Sequence, residues 1–273
     1  AGGSLGAALA FWYIQKNNPR KIDSSDSMNG SYLGPKYTQD QIEEDLTKLG
    51  AVYTTVSEDE LIEITAEDLS NGKAVGWFQG RMEFGPRALG ARSILGDPRS
   101  PSMQKTLNLK IKFRESFRPF APSILKDDLS DWFDIKSESP YMLMVAKINS
   151  KKIIKMNDKE KKLFGIEKLN IRRSNIPAVT HIDYTARIQT VTKKTNKKYF
   201  KLLNKFKSKT GCPLLINTSF NIRGEPIVNT PAEAFNCFLG TELDILVIGN
   251  CYLKKNEQTN ISIKKYSTNF ELD

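Results

Sequence analysis

The chain of 273 residues contains one histidine, His181, and three cysteines, Cys212, Cys237 and Cys251. The cysteines form no Cys-x-x-Cys pair, and their odd number argues against a disulfide framework. So small an inventory of imidazoles and thiols offers no ligand set for zinc, and a Ser-His-Asp hydrolase would have to rest on His181 alone. No stretch approaches the ~20 consecutive apolar residues that a membrane-spanning helix needs. The apolar opening, Ala1 to Ile14, lacks the basic start of a secretory signal and runs straight into Gln15 and Lys16, which argues against a signal peptide. The chain begins without Met and reads as a piece of something longer. A reducing, cytoplasmic setting fits these absences.

What is present is an ordinary folded balance, 39% hydrophobic and 26% charged, in a chain long enough for one large domain or two small ones. The net charge of +10 is unevenly spread. Residues 151–210 carry 18 Lys and Arg against 4 Asp and Glu, a local balance of +14, so the remainder is −4. A solvated Lys-rich insertion and a polyanion surface both fit such a run. Few aromatics interleave with the lysines and no nucleic-acid motif appears, which favours the solvated face and makes nucleic acid the weaker reading.

Pattern places a helix over 4–15, a breaker-rich linker over 17–37, and helices from Thr38 to Leu49 and from Ser57 to Leu69, the latter opened by a capping box. Further helices are expected over 101–109, 196–207 and 230–239, the last with Thr230 as N-cap and Pro231 at the first helical position. Strands are expected over 74–79, 119–125, 141–148, 186–191, 214–219 and 244–248. The mixture predicts an α/β (α+β) fold with an open mixed sheet flanked by helices. The tail after Asn256 is polar and reads as flexible.

Two short motifs stand out. Lys112-Phe113-Arg114 and Ser219-Phe220-Asn221 each place two polar side chains at i and i+2, on one face of an extended chain. Two cations, a hydroxyl and a carboxamide suit an anionic phosphate ligand together with a polar carbonyl compound. Taken alone, the Lys112–Arg118 run fits a phosphate clamp and a basic strand edge equally. Gly80 to Leu95 holds Arg81, Arg87 and Arg92 among glycines after the strand expected over 74–79. Convergence of these arginines with Glu83 on a ligand is favoured over a turn with surface arginines, and Gly85 and Gly90 would allow close backbone approach. The segment lacks the ending of a Walker A loop. Asn217 to Asn221 offers amides and hydroxyls that fit either ligand reading or a turn, and Arg223 with Glu225 adds a charge pair. Alternation puts His181, Asp183, Thr185, Arg187 and Gln189 on one strand face, with Arg187 a stronger ligand candidate than the lone histidine.

Together, Gly80 to Leu95, Lys112 to Ser123, His181 to Val191 and Asn217 to Val228 resemble the C-terminal part of the NodU/CmcH-type O-carbamoyltransferases, a similarity that spans roughly residues 1–255. The resemblance implies a YrdC-like open twisted mixed sheet over 38–255, which makes carbamoyl adenylate from carbamoyl phosphate and ATP with Mg²⁺. Residues 1–16 look like the last helix of an N-terminal domain of the sugar-kinase/heat-shock ATPase (ASKHA) type, and 17–37 like a linker. That N-terminal domain would hold iron and pass the carbamoyl group to a hydroxylated small-molecule acceptor; no metal ligand is expected here. Lys112, Arg114, Ser219 and Asn221 match the Lys-x-Arg and Ser-x-Asn signature and are the expected catalytic set. Arg87, Arg92, Arg118, Arg187, Asn217 and Arg223 are the expected substrate-binding set. Where the family has a glycine before Thr-Ala-Arg, Tyr184 stands here, and residues 151–175 diverge. The competing readings are a nucleic-acid-binding YrdC-like module and an inactive interaction domain.

Overall fold

The computed structural model describes residues 2–21, 26–258, 266 and 270. Ten strands among them form one mixed sheet in the order β1-β10-β9-β2-β3-β8-β4-β7-β6-β5. In chain order the strands are β1 (Thr54–Thr55), β2 (Val75–Phe78), β3 (Arg92–Gly96), β4 (Ala121–Leu125), β5 (Phe133–Asp134), β6 (Met144–Ile148), β7 (Thr185–Val191), β8 (Leu214–Ser219), β9 (Ile245–Ile248) and β10 (Cys251–Lys254). The β2–β9 and β4–β7 pairs are parallel and the others antiparallel.

The helices are α1 (Gly2–Ala10), α2 (Gln39–Lys48), α3 (Glu58–Ser70), α4 (Met103–Thr106), α5 (Leu129–Trp132), α6 (Asp158–Lys161), α7 (Gly165–Leu169), α8 (Lys197–Thr210) and α9 (Pro231–Gly240). A wider π-helical turn continues α1 over Phe11–Gln15, and another continues α4 over Leu107–Ile111. No described helix is long and apolar enough to cross a membrane.

The expected N-caps form, although the box expected at Ser57 closes on one side only. Thr38 and Gln41 close a reciprocal box on α2, the Ser57 hydroxyl accepts from Glu60 N on α3, and Thr230 with Glu233 closes the box on α9. Each satisfies backbone donors that a helix start leaves unpaired. Helix α8 buries Tyr199, Leu202, Leu203 and Phe206, the i, i+3, i+4, i+7 stripe of an amphipathic helix, and stops at Gly211 in the left-handed region.

The basic run is largely answered where it is helical. Lys201 pairs with Glu58 and Asp59, Lys205 with Glu63, Lys209 with Glu63 and Glu67, and Lys207 with Asp128. Lys201, Lys205 and Lys209 of α8 thus face the acidic side of α3, a helix-on-helix ladder that uses charge a polyanion would otherwise meet.

Strand β3 is absent from the sequence reading because it opens on an arginine, yet all five of its residues are buried between β2 and β8. Helix α8 also explains Gly90. At φ +104, a Cβ there would lie 2.3 Å from Cδ1 of the buried Tyr199 ring. This glycine serves close packing rather than approach to a ligand. Its carbonyl accepts from Trp77 Nε1 at 3.0 Å and Asn196 Nδ2 at 3.2 Å. Gly90→Ala should therefore lower unfolding stability by about 2–3 kcal/mol, from overpacking and backbone strain together, measured by urea denaturation against wild type.

Candidate active site

Strand β8 lies between β3 and β4, so the chain beyond its end emerges at the middle of the sheet. Ser219 is its last residue. Phe220 stays in the core with its N–H on Arg92 O at 3.0 Å, and Asn221 N turns back to Ser219 O at 3.1 Å. This tight turn, rather than the extended chain expected, puts the Ser219 hydroxyl 2.7 Å from Asn221 Oδ1.

Lys112 and Arg114 reach the same place by a different geometry from the extended one expected. Lys112 ends the π-helical turn that follows α4, with helical backbone angles, and Phe113 sits at φ +48. The chain reverses through this left-handed residue instead of running as a strand. The Lys112 ammonium then donates to Ser219 O, to Ser219 Oγ at 3.2 Å, to Asn221 O at 2.8 Å and to Asn221 Oδ1 at 2.7 Å. Arg114 Nε donates to Asn108 Oδ1 at 2.7 Å, and its guanidinium lies 4.9 Å from the Phe120 ring centre. Burial lowers the Lys112 pKa to about 7 and that of Arg114 to about 10, with Arg118 the second cause for Arg114.

Two clefts adjoin here and share Arg114, Arg118 and Ser219. The first, of about 510 Å³, is lined by Arg87, His181, Arg187 and Asn217 in addition to these. The second, of about 440 Å³, is lined by Lys112, Asn221, Arg223, Gly224 and Glu225. Burial, and then the neighbouring Arg87, depress the Arg187 pKa. Guanidiniums held near one another in partial burial favour an anion between them.

Asn217 is only 1% exposed. Its amide nitrogen donates to Ala88 O at 3.1 Å, Ser123 Oγ at 3.0 Å and Gln189 Oε1 at 2.8 Å. Its Oδ1 has no partner among the described residues, although Asn217 lines the first cleft. A buried acceptor without a donor is costly unless a ligand supplies one.

Nine of the ten expected site residues therefore line one or other of these two clefts. The tenth, Arg92, is a correction. It is fully buried and donates to the carbonyls of Gln79, Gly80, Ala91 and Pro35, with its guanidinium 3.5 Å from the Phe78 ring centre. The expected convergence of Arg81, Arg87 and Arg92 with Glu83 on a ligand does not occur either. Glu83 is buried and accepts from Leu89 N at 2.6 Å and Ala91 N at 2.8 Å, while Arg81 turns to Gly34 O at 3.1 Å. Glu83 and Arg92 build the loop that presents Arg87.

The strand expected to carry His181 and Asp183 starts only at Thr185. A turn precedes it, with Tyr184 at φ +62, the region that favours glycine. His181 Nδ1 lies 2.9 Å from Thr185 Oγ1, and Gln189 faces the core and braces Asn217. The bracing role of Glu225 was not legible in sequence. The carboxylate turns inward and accepts from Ile222 N at 2.8 Å, and its own carbonyl accepts from Asn221 Nδ2 at 2.7 Å.

The family description "Carbamoyltransferase C-terminus" matches residues 66–255. The chain belongs to the carbamoyltransferase C-terminal family. Among curated relatives of this chain, the uncharacterised protein sll1178 of Synechocystis sp. is 51% identical over 100% of this chain and 45% of its own length. The nodulation protein NolNO of Sinorhizobium fredii is 38% identical over 93% of this chain and 35% of its own length. The 3'-hydroxymethylcephem-O-carbamoyltransferase of Streptomyces clavuligerus is 33% identical over 68% of this chain and 32% of its own length. The chain thus spans less than half the length of these relatives.

The division of the arginines is open to test. Arg92→Ala should cost about 3 kcal/mol of stability, because it strips four carbonyls of a buried donor, whereas Arg87→Ala should leave the denaturation midpoint near wild type. Lys112 gives a second test. Its pKa is about 7 folded against an ordinary 10.5, so between these values the unfolded chain binds more protons and stability rises with pH. Below about pH 7 both states are protonated and its contribution is constant. Lys112→Met should show a shallower rise in denaturation midpoint across that window; an identical slope would contradict the assigned burial of the ammonium.

Proposed function

We propose that this site binds carbamoyl phosphate and ATP and forms carbamoyl adenylate, as the C-terminal part of an O-carbamoyltransferase. The observation that carries the reading is the meeting of Lys112, Arg114, Ser219 and Asn221 at the junction of two cation-lined clefts. One cleft for each phosphate compound is the arrangement that a reaction joining them needs.

In this reading Arg87 and Arg187 hold the phosphate of carbamoyl phosphate in the first cleft. Asn217 Oδ1 accepts from the carbamoyl NH₂, which would satisfy the orphaned acceptor. Lys112 and Arg223 take the triphosphate in the second cleft, and Arg114 and Arg118 serve both. Water cleaves carbamoyl phosphate to phosphate and carbamate. A carbamate oxygen then bonds to the α-phosphorus of ATP as the bond to the bridging oxygen of pyrophosphate breaks. Negative charge grows on the phosphoryl oxygens at that point, and fixed cations in partial burial offset it without reorganising. An incoming anion also restores charge to Lys112, since a nearby negative group favours the ammonium.

Mg²⁺ fits this site as an ion carried by the nucleotide. Magnesium takes one or two carboxylates plus phosphates and water, and the one carboxylate lining the second cleft, Glu225, is turned to Ile222 N. Ser219 Oγ and Asn221 Oδ1 are the protein oxygens that would meet it, and it would supply neutralisation of the phosphate oxygens. The acceptor hydroxyl, and the iron-holding ASKHA-type domain that would receive the adenylate, are assigned to the remainder of a longer polypeptide, with residues 38–255 as the adenylating domain.

Incubation of the chain with ATP, Mg²⁺ and carbamoyl phosphate should release pyrophosphate only when all three are present. Lys112→Ala and Ser219→Ala should each lower the rate by roughly 100- to 1000-fold, the effect of removing one fixed donor at a charge-developing centre. Wild-type rates in both variants would sink the assignment.

A further inference from the structure

The family match ends at residue 255, yet a residue beyond it reaches the site. Tyr266 and Phe270 pack against the core, although the sequence reads this tail as polar and flexible. Their rings meet edge-on, with centres 5.5 Å apart. The Tyr266 ring is seated on Gly240, the last residue of α9, where a Cβ would come within 2.2 Å of Tyr266 Cγ. From this seat the Tyr266 hydroxyl donates to Glu225 Oε1.

Glu225 is the brace of the turn that follows β8. Its other oxygen accepts from Ile222 N at 2.8 Å, and its carbonyl accepts from Asn221 Nδ2 at 2.7 Å. Asn221 in turn accepts from the Lys112 ammonium at 2.7 Å. A single hydrogen-bonded path therefore runs from the tail through Glu225 to the Asn221 and Lys112 pair.

We propose that Tyr266 is a positioning residue: it latches Glu225 and so fixes the Asn221–Glu225 turn that walls the second cleft. It touches no substrate. Its contribution to turnover rests on the reading of that cleft as the triphosphate site, whereas its effect on the turn does not. A carboxylate held by both a backbone amide and a phenol is restrained in direction, which a solvated carboxylate is not.

Two variants of the full chain separate the latch from general damage. Tyr266→Phe keeps the ring and removes the donor. Gly240→Ala leaves the tail's sequence intact and closes the seat, at a helical position where alanine is favourable. Amide hydrogen exchange over residues 219–228 should quicken in both, by roughly three- to tenfold at Ile222, with the thermal midpoint little changed. The KM for ATP should rise by a similar factor, with kcat changing less. Unchanged exchange in both variants would overturn the latch. Faster exchange with an unchanged KM would reduce Tyr266 to a purely structural contact and overturn its positioning role. A wild-type chain that releases no pyrophosphate would instead remove the adenylation reading, and the exchange result would still decide whether the latch exists.

Discussion

A single ammonium group, taken out of water and returned to four protein oxygens, joins the two halves of the site. Lys112 belongs to the turn after α4 and its acceptors belong to the end of β8. Without those oxygens the buried charge would be prohibitive, and without the charge the Asn221 carbonyl would lose its donor. The mutual requirement fixes where the Arg114–Arg118 loop lies relative to the sheet. That loop supplies the two arginines shared by both clefts.

The rest of the cationic surface is organised behind and around this junction. Arg92 and Glu83 occupy the interior of the Gly80 to Leu95 loop, each answered by backbone groups. The loop they shape carries Arg87 outward to face Arg187 from β7. Two arginines of one short motif thus stand in opposite settings: one holds the backbone and the other is exposed on the wall of the first cleft. Burial decides which: the Arg92 guanidinium is enclosed among backbone carbonyls inside the loop, whereas Arg87 lies exposed.

Neutral amides complete the arrangement. Gln189, Ser123 and Asn217 form a buried polar group whose donors and acceptors match, with Asn217 Oδ1 left over. Its position on the wall of the first cleft gives a cationic site one neutral acceptor. Under the proposed function, that combination would let the site tell carbamoyl phosphate from phosphate alone.

The sequence by itself determined the local features. Thr38, Ser57 and Thr230 mark helix starts because capping is a contact within four residues. The i, i+2 spacing of Ser219 and Asn221 survives as one hydrogen-bonded pair because it is also short-range. Only the tertiary structure decided what depends on distant partners. Arg92 looks like Arg87 in sequence and differs from it because β3 runs through the middle of the sheet. Gly90 looks like a ligand-approach glycine and is instead shaped by Tyr199, far along the chain. Lys201, Lys205 and Lys209 look like a free basic surface until α3 is laid against them. Tyr266 sits in a polar tail whose composition promises nothing, and finds its place only because Gly240 leaves room and Glu225 offers an acceptor. Caps and short turns are fixed by neighbours in the chain, whereas the burial of a charge is fixed by everything folded around it.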